Sequence, residues 1–262
     1  MYLNEERARR EMVTIGKMMH QKEFVDGSSG NISARVGSER ILVTPSGLMK
    51  GFLKPEQMIA VNMEGQVTED QSSAARELKP TSELPMHLEC YRQRPDVNGV
   101  VHAHPIYSVA LSIAGVPMSE CVIPEAVIIL GTVPTTPYAN PSSEENRQAI
   151  LRVVGSHDAI LLQYHGSLTV AKDVWGAYSK LETLEHSARI IAIARMLGEA
   201  NPLTKDQVVK LIETRNKVGY ARPEDEQDFC DHCGVCHDSD QHTDLNALVR
   251  SVKKDVMDVL RS

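Results

Sequence analysis

The stretch PTSELPMHLECYRQRPDVNGVVHAHP, from Pro80 to Pro105, changes its hydrophobic period partway along. Its first half sets Leu84, Leu88 and Tyr91 on one helical face, with Ser82 the expected cap of a helix that begins near Glu83. Its second half, NGVVHAH, is β-branched and ends in polar residues, as a strand does, and Pro105 opens a further helix through Ala114. Helix, strand and helix in direct succession are the units of a layered α/β domain.

The alternation continues both ways from there. Asn4 to Gln21 reads as an amphipathic helix with Met12, Ile15, Met18 and Met19 on one side. DGSSGNISARV then runs from a small-residue loop into a short strand, and RILVTPSG is β-rich. Downstream, Val122 to Val133 is apolar, and YANPSSEE leads into a helix ending near Gly155. DAILLQYHG is a buried strand closed by His165, Val174 to Leu197 is a long helix, and Thr204 to Val218 is a second. No internal repeat is present. The expected fold is an α/β domain with helices on both sheet faces, spanning residues 1–220.

Bulk properties narrow the function. At 262 residues the chain suits one large domain with an appendage. A net charge of −7 and a pI near 5.8 give no electrostatic support for nucleic-acid or membrane-surface binding. The N-terminal run MYLNEERARREMVTIGKMMHQKEF lacks the apolar core of a signal peptide, so the expected setting is cytoplasmic and reducing. There the five cysteines are not expected to form a disulfide framework, and Cys90 and Cys121 read as buried packing residues.

His102 and His104 alternate at the end of a strand, so both imidazoles face one way and can reach one ion. His165 closes a second strand, with Gly166 allowing close approach. Three imidazoles on zinc leave open positions, as a catalytic ion needs; singly, each would more readily be a hydrogen-bonded strand-end residue. Glu83 could cap its own helix, or bind the metal and move protons. His87, one turn on, reads as a packed histidine. Three small-residue turns carry anion-binding potential: SSGN with Gly30 and Asn31, TPSG with Ser46 and Gly47, and Thr81–Ser82 at a helix start.

Taken in order and spacing, SSGNIS, ILVTPSG, PTSELPMHLECYRQRPDVNGVVHAHP and LLQYHGSLTVAKD resemble the class II aldolase/adducin family, above all its L-fuculose-1-phosphate aldolases. The likeness covers roughly Glu5 to Val218. It implies a three-layer α/β/α domain, usually a homotetramer with sites at subunit interfaces. It also implies Zn²⁺ held by His102, His104 and His165, with Glu83 a ligand at rest and the acid/base in turnover. Gly30, Asn31, Ser46, Gly47, Thr81 and Ser82 match the turns that hold the substrate's phosphate. The implied reaction cleaves a deoxyketose 1-phosphate of the fuculose or rhamnulose type to dihydroxyacetone phosphate and lactaldehyde. A metal-dependent decarboxylase of the same fold and a non-catalytic adducin-like scaffold are the alternatives. The family's tyrosine after an Ile-Pro pair is missing from IPEAVIILG, which leaves Tyr138 and Tyr220 as substitutes.

Beyond Tyr220 the composition turns polar and acidic, and residues 221–243 read as a linker. Within it CGVCH matches a haem-attachment pattern, which requires export. A structural metal on Cys230, Cys233, Cys236 and His237 is the better reading, beside that of a Cys/His-rich linker with no ligand. Residues 244–262 place Leu245, Leu248, Val249, Val252, Val256, Val259 and Leu260 in one arc of a helix capped by Asp244. A domain, a polar linker and such a helix resemble the encapsulation peptides that dock cargo enzymes on bacterial microcompartment shell proteins.

Overall fold

A computed structural model describes residue 2, residues 4–233 and residues 235–236. His237 and the docking stretch 244–262 lie outside the described residues. The strands are β1 (Asn31–Gly37), β2 (Arg40–Val43), β3 (Ile59–Val61), β4 (Gly99–Ala103), β5 (Thr135–Thr136), β6 (Ala159–Leu162) and β7 (Gly166–Ala171). They form one seven-stranded sheet in the order β3-β2-β1-β4-β7-β6-β5, antiparallel throughout except for the parallel β5–β6 pair. The α-helices among the described residues are α1 (Glu5–Gln21), α2 (Leu84–Gln93), α3 (Ile106–Ile113), α4 (Pro124–Ile129), α5 (Glu144–Leu151), α6 (Val174–Leu197), α7 (Lys205–Lys217) and α8 (Asp225–Cys233).

The period-two alternation of the strands divides the core between the two sheet faces. Ile32, Ala34, Leu42, Ala60, Val101 and Ala103 turn one way, onto Met12, Ile15 and Met19 of α1 and Val174, Tyr178 and Leu181 of α6. Their neighbours Ile41, Val43, Ile59, Val61 and Val100 turn the other way, onto Leu84, Leu88 and Tyr91 of α2 and Ile150 of α5. Ala159 and Leu161 extend the first face onto Leu111 of α3 and Leu184 of α6. This is the expected three-layer α/β/α arrangement. Period two also fixes where chemistry can sit: His102 shares the face of Val100, and His104 follows it just past the strand.

Helix ends follow local chemistry. Asn4 caps α1 by accepting from the Arg7 N–H at 3.1 Å, and Thr204 caps α7 by accepting from Gln207 N–H. Ser82 does not cap α2. Glu83 takes the cap position, and its side chain makes no capping bond. His165 does not close a strand either: β6 stops at Leu162, and His165 ends a three-residue hairpin turn whose tight geometry places Tyr164 at φ 60°.

The segment read as a linker contains α8. A polar sequence conceals its anchors, because one apolar residue and two carboxylates that pair with other elements do the docking. Phe229 is 1% exposed among Cys121, Val127 and Val208, and Asp225 receives Arg215 at 2.7 Å. Cys121 is buried in an apolar cluster as expected, but it is not isolated. It pairs with Cys233, and Cys230 pairs with Cys236, in two disulfide contacts that run against the expectation for a reducing setting. Cys90 is buried as expected, its thiol donating to the Met86 carbonyl.

Candidate metal centre

Four side chains from three places in the chain meet at one end of the sheet. His102 is the fourth residue of β4, His104 lies one residue beyond it, His165 ends the β6–β7 turn and Glu83 stands at the head of α2. One ligand atom from each lies within 4.8 Å of the others. The Glu83 carboxylate bridges the histidines, with Oε2 3.1 Å from His102 Nε2 and Oε1 3.4 Å from His165 Nε2. His102 and His104 bring their Nε2 atoms to 3.0 Å.

The local fold sets these positions. His102 Nδ1–H donates to the Ser167 carbonyl at 2.9 Å, which fixes the tautomer and leaves an Nε2 lone pair facing the cluster. His104 is held by its own backbone N–H, which donates to the Phe24 carbonyl at 2.9 Å. Gly166 is glycine for a reason visible here. A Cβ on it would stand 2.4 Å from the Ala103 carbonyl oxygen and 2.8 and 3.0 Å from ring carbons of His104 and His102. The close approach expected at Gly166 is therefore that of the two imidazoles and the neighbouring strand.

Electrostatics suit the cluster to a cation. Burial, then the charges of neighbouring His102 and His165, push His104 down to about 3; burial and His102 push His165 down to about 4. Both rings therefore stay neutral with free lone pairs. Burial acts to raise the Glu83 carboxyl, but His102, Asn31 and His165 outweigh it and hold it well below the usual carboxylate range. Glu83 Oε1 is buried without a hydrogen-bond partner. An ionised oxygen left unsatisfied beside three imidazoles fits an absent divalent cation, and the donor set of three nitrogens and a carboxylate is one zinc accepts.

A hydrogen-bonded chain behind Glu83 supports it. Asn31 Nδ2 donates to Glu83 Oε2 at 2.9 Å. The Asn31 carbonyl oxygen accepts from His87 Nε2, so His87 Nδ1 must accept, and Ser33 Oγ donates to it at 2.6 Å. The Tyr91 hydroxyl donates to Ser33 in turn at 2.8 Å. His87, read from sequence as packing, is fully buried but is also the pivot of this chain. Its spacing of four residues from Glu83 was the available signal.

The small-residue turns gather around the same carboxylate. Thr81 N–H donates to the Thr44 carbonyl and Ser46 N–H to the Lys79 carbonyl, joining TPSG to Thr81–Ser82. Glu83 N–H donates to Thr81 Oγ1 at 3.3 Å. Gly30, at φ 69°, lies where a Cβ would be 3.0 Å from the His102 carbonyl oxygen, and Asn31 pairs with His102 across β1 and β4. Ser46, Gly47 and Ser82 are exposed, and open space surrounds Gly47, which adopts φ 75°. Lys50 escaped notice in the sequence because lysine is normally exposed. It is buried, pushed down to about 8 by desolvation, and donates to the carbonyls of Ser28 and Leu48 at 2.6 and 2.7 Å, fastening two of the turns together. Of the two tyrosines singled out, Tyr138 stacks edge-on with Tyr164, the residue before His165. Tyr220 lines a cavity of about 630 Å³ with Arg94, Asp96 and Arg222, which contains none of the cluster.

With this geometry in hand, comparison with known proteins is direct. Residues 10–192 match the family model described as Class II Aldolase and Adducin N-terminal domain. A 3-oxo-tetronate 4-phosphate decarboxylase of Pectobacterium atrosepticum is 31% identical over 79% of this chain and 94% of its own. An L-fuculose phosphate aldolase of Methanococcus maripaludis is 35% identical over 68% of this chain and 92% of its own. The crystal structure of YgbL from Klebsiella pneumoniae superposes with a TM-score of 0.72 and 29% identity, covering 80% of this chain and 99% of that one. Fold, site and sequence agree that the chain belongs to the class II aldolase and adducin family.

Proposed function

We propose that this chain is a metal-dependent lyase that generates the enediolate of dihydroxyacetone phosphate from a phosphorylated substrate, with a deoxyketose 1-phosphate of the fuculose or rhamnulose type as the leading candidate. The observation that carries the reading is Glu83, an ionised carboxylate with one buried oxygen lacking a hydrogen-bond partner, set among three imidazoles. His102, His104, His165 and Glu83 would hold the ion, which supplies Lewis acidity to the carbonyl oxygen where negative charge collects. In the condensation direction Glu83 removes a proton from the carbon next to that carbonyl. By microscopic reversibility it returns the proton there after cleavage. In cleavage a base, for which the Tyr138–Tyr164 pair is the candidate, takes the C4 hydroxyl proton, the C3–C4 electron pair moves to C3, and the aldehyde departs. Gly30, Asn31, Ser46, Gly47, Thr81 and Ser82 are the groups proposed to seat the phosphate, on turns held in place by Lys50.

One observation favours a second reading. Loss of carbon dioxide from a 3-oxo-tetronate 4-phosphate leaves the same enediolate, so the relative of that name and the aldolase differ only in the group that departs. Decarboxylation needs no base for a hydroxyl proton, and IPEAVIILG lacks the family tyrosine expected there. The Tyr138–Tyr164 pair beside His165 is our candidate to serve an aldol substrate instead. The deciding experiment assays fuculose 1-phosphate, rhamnulose 1-phosphate and 3-oxo-tetronate 4-phosphate with wild type and Glu83→Gln. Turnover of a sugar phosphate that collapses in Glu83→Gln supports the aldolase, and turnover of the oxo acid alone transfers the assignment to the decarboxylase. Cleavage undiminished in Glu83→Gln removes Glu83 from the mechanism. The tetramer and the docking of residues 244–262 on a shell remain part of the proposal. Their test is the mass in solution and whether deletion of 244–262 abolishes capture by shell proteins while sparing catalysis.

A further inference from the structure

The cysteine cluster at the far side of α4 is unused by the chemistry above, and its geometry is more specific than its sequence. Cys230 and Cys233 lie three apart on α8 and so share a face, about 5–6 Å apart at Cβ. Cys233 meets Cys121, with Cα atoms 5.6 Å apart, and Cys230 meets Cys236, with Cα atoms 4.9 Å apart. Each of two neighbouring positions on one face of α8 thus carries a sulfur pair, although Cys121 is separated from Cys233 by 112 positions.

Contacts that do not involve sulfur hold the four in place. The Cys121 carbonyl accepts from Leu203 N–H at 2.8 Å. α8 is docked by Phe229, by Arg215 on Asp225, and by His157 on Asp228 at 3.1 Å. Cys121 and Cys230 are buried, and Cys236 reaches the surface, so the cluster has an inner wall and an entry side. These contacts hold α8 and the Cys121 loop together without relying on a sulfur–sulfur bond.

We propose that these four cysteines, with Cys121 as the fourth ligand in place of His237, form a tetrathiolate site for a single Zn²⁺ ion that clamps α8 to the loop before α4. Zinc with Zn–S bonds of about 2.3 Å separates its sulfurs by about 3.8 Å in a tetrahedron, a spacing within reach of both close pairs and of the i,i+3 pair Cys230 and Cys233. An iron–sulfur cubane needs its ligands spread around a larger object. The chemistry balances without an oxidant: four thiols release four protons and one ion binds. Closing both disulfides would instead require an acceptor for four electrons. A site with four protein ligands has no open position, so its role is to hold structure rather than to catalyse.

The test uses the full chain, purified without oxygen or chelator. Metal per chain is measured by mass spectrometry, and thiols are titrated after denaturation with chelator and no reductant. All five cysteines should then titrate. Cys121→Ser should carry about one equivalent of zinc less than wild type, and His104→Ala should keep that equivalent. A titration showing Cys90 alone means two disulfides and overturns the proposal. Unchanged zinc in Cys121→Ser removes Cys121 from the ligand set, and acid-labile sulfide with visible absorption replaces the single ion by a cluster. If Cys121→Ser fails to fold, cobalt added to metal-stripped wild type decides the point. Sulfur-to-cobalt charge transfer is expected, and its absence overturns the assignment.

Discussion

This molecule gathers candidate metal ligands in two places, and it does so by opposite means. The His/Glu cluster is mounted on the head of α2, the end of β4 and a hairpin turn, so its geometry is inherited from the sheet. The cysteine cluster joins one loop to one short helix outside the three layers. The first mixes nitrogen and oxygen donors and leaves a carboxylate oxygen free to act; the second is all sulfur and has nothing left over. Softness and closure suit an ion that never leaves, whereas an open, harder site suits one that must meet substrate. If the contrast is right, damage at one place should cost turnover and damage at the other should cost stability.

The largest expected effect is loss of the catalytic ion. His104→Ala leaves two imidazoles and a carboxylate, and we expect activity to fall to background together with the bound metal, measured by assay and elemental analysis on one sample. Glu83→Gln should lower kcat by about 10²- to 10⁴-fold, the usual worth of a positioned acid/base. Dihydroxyacetone phosphate should exchange its carbon-bound proton with solvent in wild type and not in this variant, which isolates proton transfer from bond cleavage. A smaller effect is expected from His87→Leu. It keeps the volume but leaves Asn31 without its partner, so Glu83 loses orientation rather than existence. A drop of about 10- to 100-fold in kcat is expected, with little change in KM. Equal falls in His87→Leu and Asn31→Ala, not compounded in the double variant, would identify one shared pathway.

Much of the site could be read from sequence because it lies where periodicity is strict. His102 and His104 had to share a face once NGVVHAH was a strand, and Asn4 and Thr204 marked their helices by capping chemistry. The failures have physical causes as well. Serine usually caps a helix, which makes Ser82 the expected residue, but Glu83 takes that position and turns its carboxylate to the histidines. His165 looked like a strand residue because DAILLQYHG is continuous in hydropathy; a turn with Tyr164 in the left-handed region carries no hydrophobic signature. Lys50 and His87 are buried through partners distant in sequence, which no local pattern records. α8 has no apolar stripe to reveal it: Phe229 packs alone, and Asp225 and Asp228 pair with Arg215 and His157 on other elements.

That last point yields the smallest expected change in turnover. Phe229 is 1% exposed among Cys121, Val127 and Val208, and none of the catalytic groups touches this cluster. Phe229→Ala removes a fully buried ring, a change that costs about 3–5 kcal/mol where the surroundings cannot collapse. α8 lies outside the three layers, so it can detach by itself, and the global loss should sit at the low end of that range. Denaturant unfolding should show a pre-transition confined to α8, and cysteine labelling should accelerate, while kcat/KM stays within about twofold of wild type. A large fall in kcat/KM, with the midpoint of the main transition unmoved, would mean that α8 communicates with the histidine cluster. The separation between an open catalytic site and a closed structural site would then have to be abandoned.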